Sequence, residues 1–127
     1  MSDAEEPRTY AIRLHRRARA DIDAIRLERE ELRGGRAADE WHDKLIDALA
    51  TLATYPKRCP LAREDRLFRR EVRQFLYRQT RGGVAYRVLF TVYEAEDEAP
   101  FVFILHVRHG AQGPMTADEA QAIEEAD

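Results

Sequence analysis

The run Phe101-Val-Phe-Ile-Leu-His-Val107 constrains this chain more than any other stretch. It is nearly all apolar, as expected of a central strand covered on both faces. Upstream, Tyr86-Arg-Val-Leu-Phe-Thr-Val-Tyr93 is rich in β-branched and aromatic residues and reads as a second strong strand. The acidic loop from Glu94 to Ala99, closed by Pro100, separates the two. Strand character begins earlier, near Val72, and Arg81-Gly82-Gly83 supplies the turn that follows it. Three consecutive strands joined by short turns make an antiparallel meander.

The first half follows a different period. Tyr10, Ile12 and Leu14 alternate as in a short strand. From Arg16 onward, Ala18, Ile22, Ile25, Arg29 and Leu32 recur at helical spacing, and Gly34-Gly35 ends that helix. A second stripe, Trp41, Leu45, Ala48, Leu49 and Leu52, runs until Tyr55-Pro56 breaks it. Two amphipathic helices joined by a glycine turn fold back as a hairpin. Thr116-Ala-Asp-Glu119 has capping-box spacing and starts a short helix at Ala117. The expectation is an α+β domain ordered β-α-α-β-β-β. Its small antiparallel-meander sheet of about four strands includes the first strand, which joins after crossing over the hairpin. The hairpin covers one sheet face, and the other is left free for binding. A core spans about residues 8–112 of a single 1–127 domain, with a short acidic helix or tail over 116–127.

Composition narrows the class. At 127 residues the chain is long enough for one domain, and 44% hydrophobic with 35% charged residues excludes wholesale disorder, collagen and coiled coil. No apolar run reaches the roughly 20 residues of a membrane span. The N-terminus is acidic and lacks the apolar stretch of a signal peptide, so a soluble cytoplasmic protein is expected. Cys59 is the only cysteine and has no CxxC neighbour, so neither an internal disulfide nor a metal site is expected, nor any cofactor. The net charge of -3 conceals a basic body: between Pro7 and Tyr93 there are 20 Lys and Arg against 12 Asp and Glu. Acidic blocks lie at Asp3, Glu5 and Glu6, at Glu94 to Glu98, and at Asp118 to Asp127. A basic body favours phosphate-bearing or acidic partners.

Several segments occur in a recognisable order: the Trp41 helix, the Tyr55-Pro56 to Cys59-Pro60 break, Glu71-Val-Arg73, Tyr86-Arg-Val-Leu-Phe-Thr-Val92, and Leu105-His-Val-Arg-His-Gly110. Together they resemble the RelE/ParE superfamily of type II toxins, the plasmid-stabilisation proteins, over about residues 8 to 112. The resemblance implies a toxin held inactive by a small antitoxin, with no membrane partner. RelE-like members cut mRNA, usually on the ribosome, without metal, whereas ParE-like members poison DNA gyrase, and the Leu-His-Val-Arg-His-Gly-Ala ending resembles the ParE-like and unassigned variants. An inactive toxin that only binds its antitoxin is a third alternative.

Metal-free RNA cleavage needs a proton acceptor, a proton donor and cations to steady the charge that develops on phosphorus. Arginine suits the last role and histidine the first two. The candidates are Arg73, Arg87, Arg108 and His109, taken to face the open sheet surface. The resemblance places Arg87 at the position of a catalytic arginine in RelE-like nucleases, with Arg108 and His109 where those enzymes carry a terminal-strand arginine or histidine. Arg66, Arg69 and Arg70 are candidates for substrate binding, along a nucleic-acid backbone or against an acidic antitoxin. Alternation limits the set, because Arg108 and His109 point to opposite faces of a regular strand. A strand end at Val107, a bulge, or a role for only one of the pair would resolve this. Alternation also puts Arg87 opposite Tyr86, Val88, Phe90 and Val92, facing outward. Trp41, Tyr77, Tyr86 and Tyr93 read as core, His106 as a packed strand residue, and His15 and His42 as surface or helix-edge residues. Few lysines, no tyrosine after Tyr93 and an acidic C-terminus weigh against a nuclease.

Overall fold

The first strand, β1 (Ala11–Leu14), leads directly into helix α1 (Arg16–Arg33), and α2 (Gly35–Ala50) folds back against it. The computed structural model describes residues 9–126, so the acidic block at Asp3, Glu5 and Glu6 lies outside the described residues. Gly34 joins the helices at φ +93°, a conformation that side-chain-bearing residues rarely adopt, and its N–H donates to the Glu30 carbonyl. The α2 end returns to where β1 began, as Tyr10 N–H donating to Ala53 O shows. Short 3₁₀ turns lead to β2 (Arg73–Arg78), then β3 (Ala85–Tyr93), β4 (Phe101–His109) and α3 (Ala117–Glu125).

The sheet order is β1-β4-β3-β2. The three-strand meander is antiparallel as expected, but β1 pairs parallel with β4, so the sheet is mixed. The cause is the return of α2: β2 sets off from the end where β1 began, and two reversals later β4 runs in the direction of β1.

Alternation sorts the core into two layers. Tyr86, Val88 and Phe90 of β3, with Val102, Ile104 and Val107 of β4, pack under Ile22, Trp41, Leu45 and Leu49 of the hairpin. Ile25 packs at the edge of this core, whereas Leu32, expected on the buried stripe, is 74% exposed because the helix has run past the sheet. Leu89 and Leu105 face the other way, against Ala62, Val72, Met115, Ala120 and Ile123. The second face is therefore not open. The segment before β2 and the C-terminal helix cover it, which corrects the expectation of a free binding surface. The apolar run in β4 had already required cover on both sides.

A bulge interrupts β3–β4 pairing: Leu89 opposes His106 and Phe90 opposes Ile104, leaving Leu105 as the extra residue. Val102 and Ile104 face the hairpin before it, and Val107 faces the hairpin after it. The bulge therefore inverts the phase of the strand end. His15, expected at the surface or a helix edge, is at the helix edge but buried: its Nδ1 accepts from Arg17 N–H at 2.9 Å to cap α1, and its Nε2 lies 2.9 Å from the Ile123 carbonyl of α3. The capping box of α3 forms as expected, with Thr116 and Glu119 bonded reciprocally. No helix among the described residues is long and apolar enough to cross a membrane.

Candidate functional site

Arg87 sits mid-strand on β3 and faces away from the hairpin, but it is only 3% exposed. Its Nη1 and Nη2 donate to the two oxygens of Glu64 at 2.9 and 2.6 Å, and its Nε donates to Gln74 Oε1 at 2.7 Å. Glu64 is itself buried, and one of its oxygens also accepts the Met115 N–H at 2.9 Å. Burial pushes the Glu64 carboxyl up, but the Arg87 hydrogen bonds and the Met115 N–H outweigh it and hold the group at about 2. The outward-facing Arg87 expected from alternation is thus on the predicted side of the sheet but sealed there, because the 60–72 segment delivers a carboxylate onto it.

Arg108 lies beside Arg87 across the β3–β4 ladder and on the same face. It is buried beneath α3, with Nη1 3.6 Å from a Glu119 oxygen and 3.4 Å from His106 Nε2. His106 Nδ1 in turn lies 2.6 Å from Asp21 on α1. The same Asp21 oxygen accepts Val107 N–H at 3.0 Å, which β1 is too short to reach. Arg17 closes the chain of charges, bonding Asp21 at 3.1 Å and approaching Glu119 at 3.9 Å. The Thr116 N–H holds the Glu119 carboxyl below its usual range, against some burial and with help from Arg108 and His106. The acidic C-terminus is thus drawn onto the cationic face.

The other two candidates lie on the hairpin side. Arg73 opposes Phe90, and its Nη1 donates to the Cys59 carbonyl at 2.7 Å, bracing the irregular segment below α2. His109 opposes Tyr86 and packs edge-on to it, with ring centroids 5.6 Å apart. The bulge puts it there, since an uninterrupted β4 would have sent Arg108 to the hairpin side and His109 to the other. Arg73 and His109 sit four β3 residues apart, roughly 14 Å along the strand, and two strands apart. The structure brings Arg87 and Arg108 together and separates both from Arg73 and His109.

Arg66, Arg69 and Arg70 remain exposed on the segment that covers the second face. Arg70 stacks over Tyr93 with its guanidinium carbon 4.0 Å from the ring centre, and Arg69 N–H donates to Glu124 at 2.8 Å. Cys59 is buried, and burial pushes its thiol up despite Arg58 and Arg73 nearby. Among the described residues no cluster of three or more His, Cys, Asp or Glu side chains is arranged to hold a metal.

Glu64, Gln74, Asp21 and Glu119, which organise the charged residues, were not picked out from the sequence. Glu64 follows the Tyr55-Pro56 to Cys59-Pro60 break, where no periodicity marks it, and Asp21 has the spacing of any solvent-facing helix residue. The capping box was the one available signal, and it pointed to Glu119 as a helix starter only.

Residues 12–114 match the model of a family described as the ParE toxin of type II toxin-antitoxin system, parDE. The chain belongs to the ParE toxin family. It is therefore a type II toxin, and the family implies an antitoxin as its partner. No curated protein matches the chain significantly.

Proposed function

We propose that this toxin arrests growth by binding a protein target rather than by cutting RNA, and that DNA gyrase, the target implied by its likeness to ParE-like members, is that protein. One observation carries the reading: all three guanidinium nitrogens of Arg87 are engaged by Glu64 and Gln74. A phosphate could recruit this arginine only by stripping a buried carboxylate of its partner, a loss of roughly 3–5 kcal/mol. The placement of Arg73 and His109 on the opposite sheet face adds support, because no single phosphate touches groups on both sides of a sheet.

In this reading Arg87 and Arg108 hold the sheet to its covers, and Arg73 braces the segment below α2. Arg66, Arg69 and Arg70 are the exposed cations offered to an acidic partner surface. The test expresses the toxin without its antitoxin and follows mRNA integrity beside plasmid supercoiling. Lost supercoiling with intact mRNA is the expected result. Cleaved transcripts with unchanged supercoiling would return the chain to the nucleases.

A further inference from the structure

The two covers of the far face leave a gap between them. Arg69 N–H of the 60–72 segment reaches Glu124 of α3 at 2.8 Å, and beside this bond a hollow of about 200 Å³ opens onto the sheet. Phe68 and Val72 wall it from one cover and Ile123 from the other, over Phe103 and Leu105 of β4. A second hollow of about 260 Å³, lined by Lys57 and Arg73, shares Arg70 and Thr91 with the first. At that junction Thr91 is only 3% exposed, yet its hydroxyl bonds to none of the described residues and is not sealed from solvent. The Arg70 guanidinium is held by its stack on Tyr93, with no carboxylate on it among the described residues, so its in-plane N–H groups stay free. Both ring nitrogens of His15, also on the wall, are already engaged.

We propose that the joined hollows bind a small monocarboxylic acid carrying one aromatic ring or a branched alkyl group of similar bulk. Size sets the apolar part, since a cavity of roughly 150 Å³ holds benzene. Charge sets the polar part. On the combined wall Lys57 pairs with Glu94 and Arg73 with Glu71, while Arg69 and Arg70 are balanced only by Glu124. One positive charge is left over, and one carboxylate neutralises it. Its oxygens accept from the Arg70 guanidinium and the Thr91 hydroxyl, bonds strengthened by the charge. A nucleotide fits less well. Its phosphate brings more negative charge than the wall balances, and a base edge set among Phe68, Val72 and Leu105 would be buried unpaired. The inference rests on this pocket and not on the toxin's target.

The probe is hydrocinnamate, followed by nitrogen-15 correlation spectra of the full chain. The neutral hydrocinnamide, acetate and adenosine monophosphate are run beside it. Hydrocinnamate is expected to shift the amides of Arg70, Thr91 and Leu105 saturably. Exchanging it for hydrocinnamide, or replacing Arg70→Gln, is expected to weaken binding about tenfold, the usual loss for a charged hydrogen bond. Thr91→Val keeps the shape of the wall and is expected to weaken binding about fivefold through the lost hydroxyl. Arg70 is exposed, and thermal melting checks that both variants are folded. Arg19→Gln, exposed on α1 and outside both hollows, is expected to bind like the wild-type chain. Unmoved pocket amides overturn the proposal, as does equal binding of hydrocinnamide or of acetate. Tighter binding of adenosine monophosphate also overturns it and gives the pocket to nucleotides.

Discussion

The two faces of the sheet are held by different forces. Under the hairpin the contacts are apolar and aromatic: Phe90, Ile104 and Leu45 are fully buried, and Trp41 meets Tyr86 edge-on at 5.4 Å. On the far side a smaller apolar layer is supplemented by Glu64 with Arg87, Asp21 with His106, and Arg108 beneath Glu119. Apolar burial stabilises in proportion to area and tolerates changes of pH and salt. Buried ion pairs contribute little net stability when intact and a large instability when one partner is lost. The hairpin face therefore sets how stable the fold is, and the far face sets what perturbs it.

The sharpest contrast lies in single substitutions at matched depth. Phe90→Ala is expected to destabilise the protein by about 3–5 kcal/mol through the cavity it leaves. Arg87→Met is expected to be as damaging, about 3–5 kcal/mol, by stranding the Glu64 carboxylate. The two part company on rescue. Adding Glu64→Leu to Arg87→Met removes the stranded charge and is expected to recover at least half of the loss in urea denaturation, whereas no second truncation recovers Phe90→Ala. If the double variant is no more stable than Arg87→Met, the far face is held by packing like the near one.

This asymmetry also marks what was legible beforehand. Element order, the hairpin, the meander and the capping box at Thr116 all follow from local periodicity and turn chemistry, and these are what the structure shows. The core residues Trp41, Tyr77 and Tyr86 were legible for the same reason, whereas Tyr93, expected with them, is only half-buried and stacks on Phe101. The covered far face was legible only in part: the apolar run of β4 demanded a second cover, but nothing local said that α3 and the 60–72 segment supply it. Site residues were least legible. One extra residue at Leu105 reverses which way Arg108 and His109 point, and bulges leave no mark in an apolar run. The partner of Arg87 lies 23 positions upstream, at a distance where composition and periodicity carry no pairing information.

Acid should act on the far face first. The Glu64 carboxyl titrates at about 2 in the folded chain, below the ordinary value of 4.5. Its stabilisation is full above about pH 5 and disappears as pH falls through 2, amounting to about 3 kcal/mol over that interval. Chemical denaturation repeated between pH 6 and 2 is expected to show this loss in the wild-type chain and a flatter profile in the Glu64→Leu/Arg87→Met variant. Equal slopes for the two would mean that acid sensitivity arises elsewhere.

The smallest effect separates the two covers most cleanly. Thr116→Ala removes the oxygen that accepts Glu119 N–H at 3.2 Å, and a lost cap of this kind is worth about 1 kcal/mol. Global stability should fall by no more than that. Local stability should redistribute, because α3 is only nine residues long and Glu119 serves both the cap and Arg108. Hydrogen exchange is expected to speed up for the amides of α3 and for Met115 while the hairpin and β3 amides keep their protection. Uniform acceleration across both covers would show that α3 opens only when the whole molecule does. The far face would then be as permanent a layer as the hairpin, despite the charges that hold it.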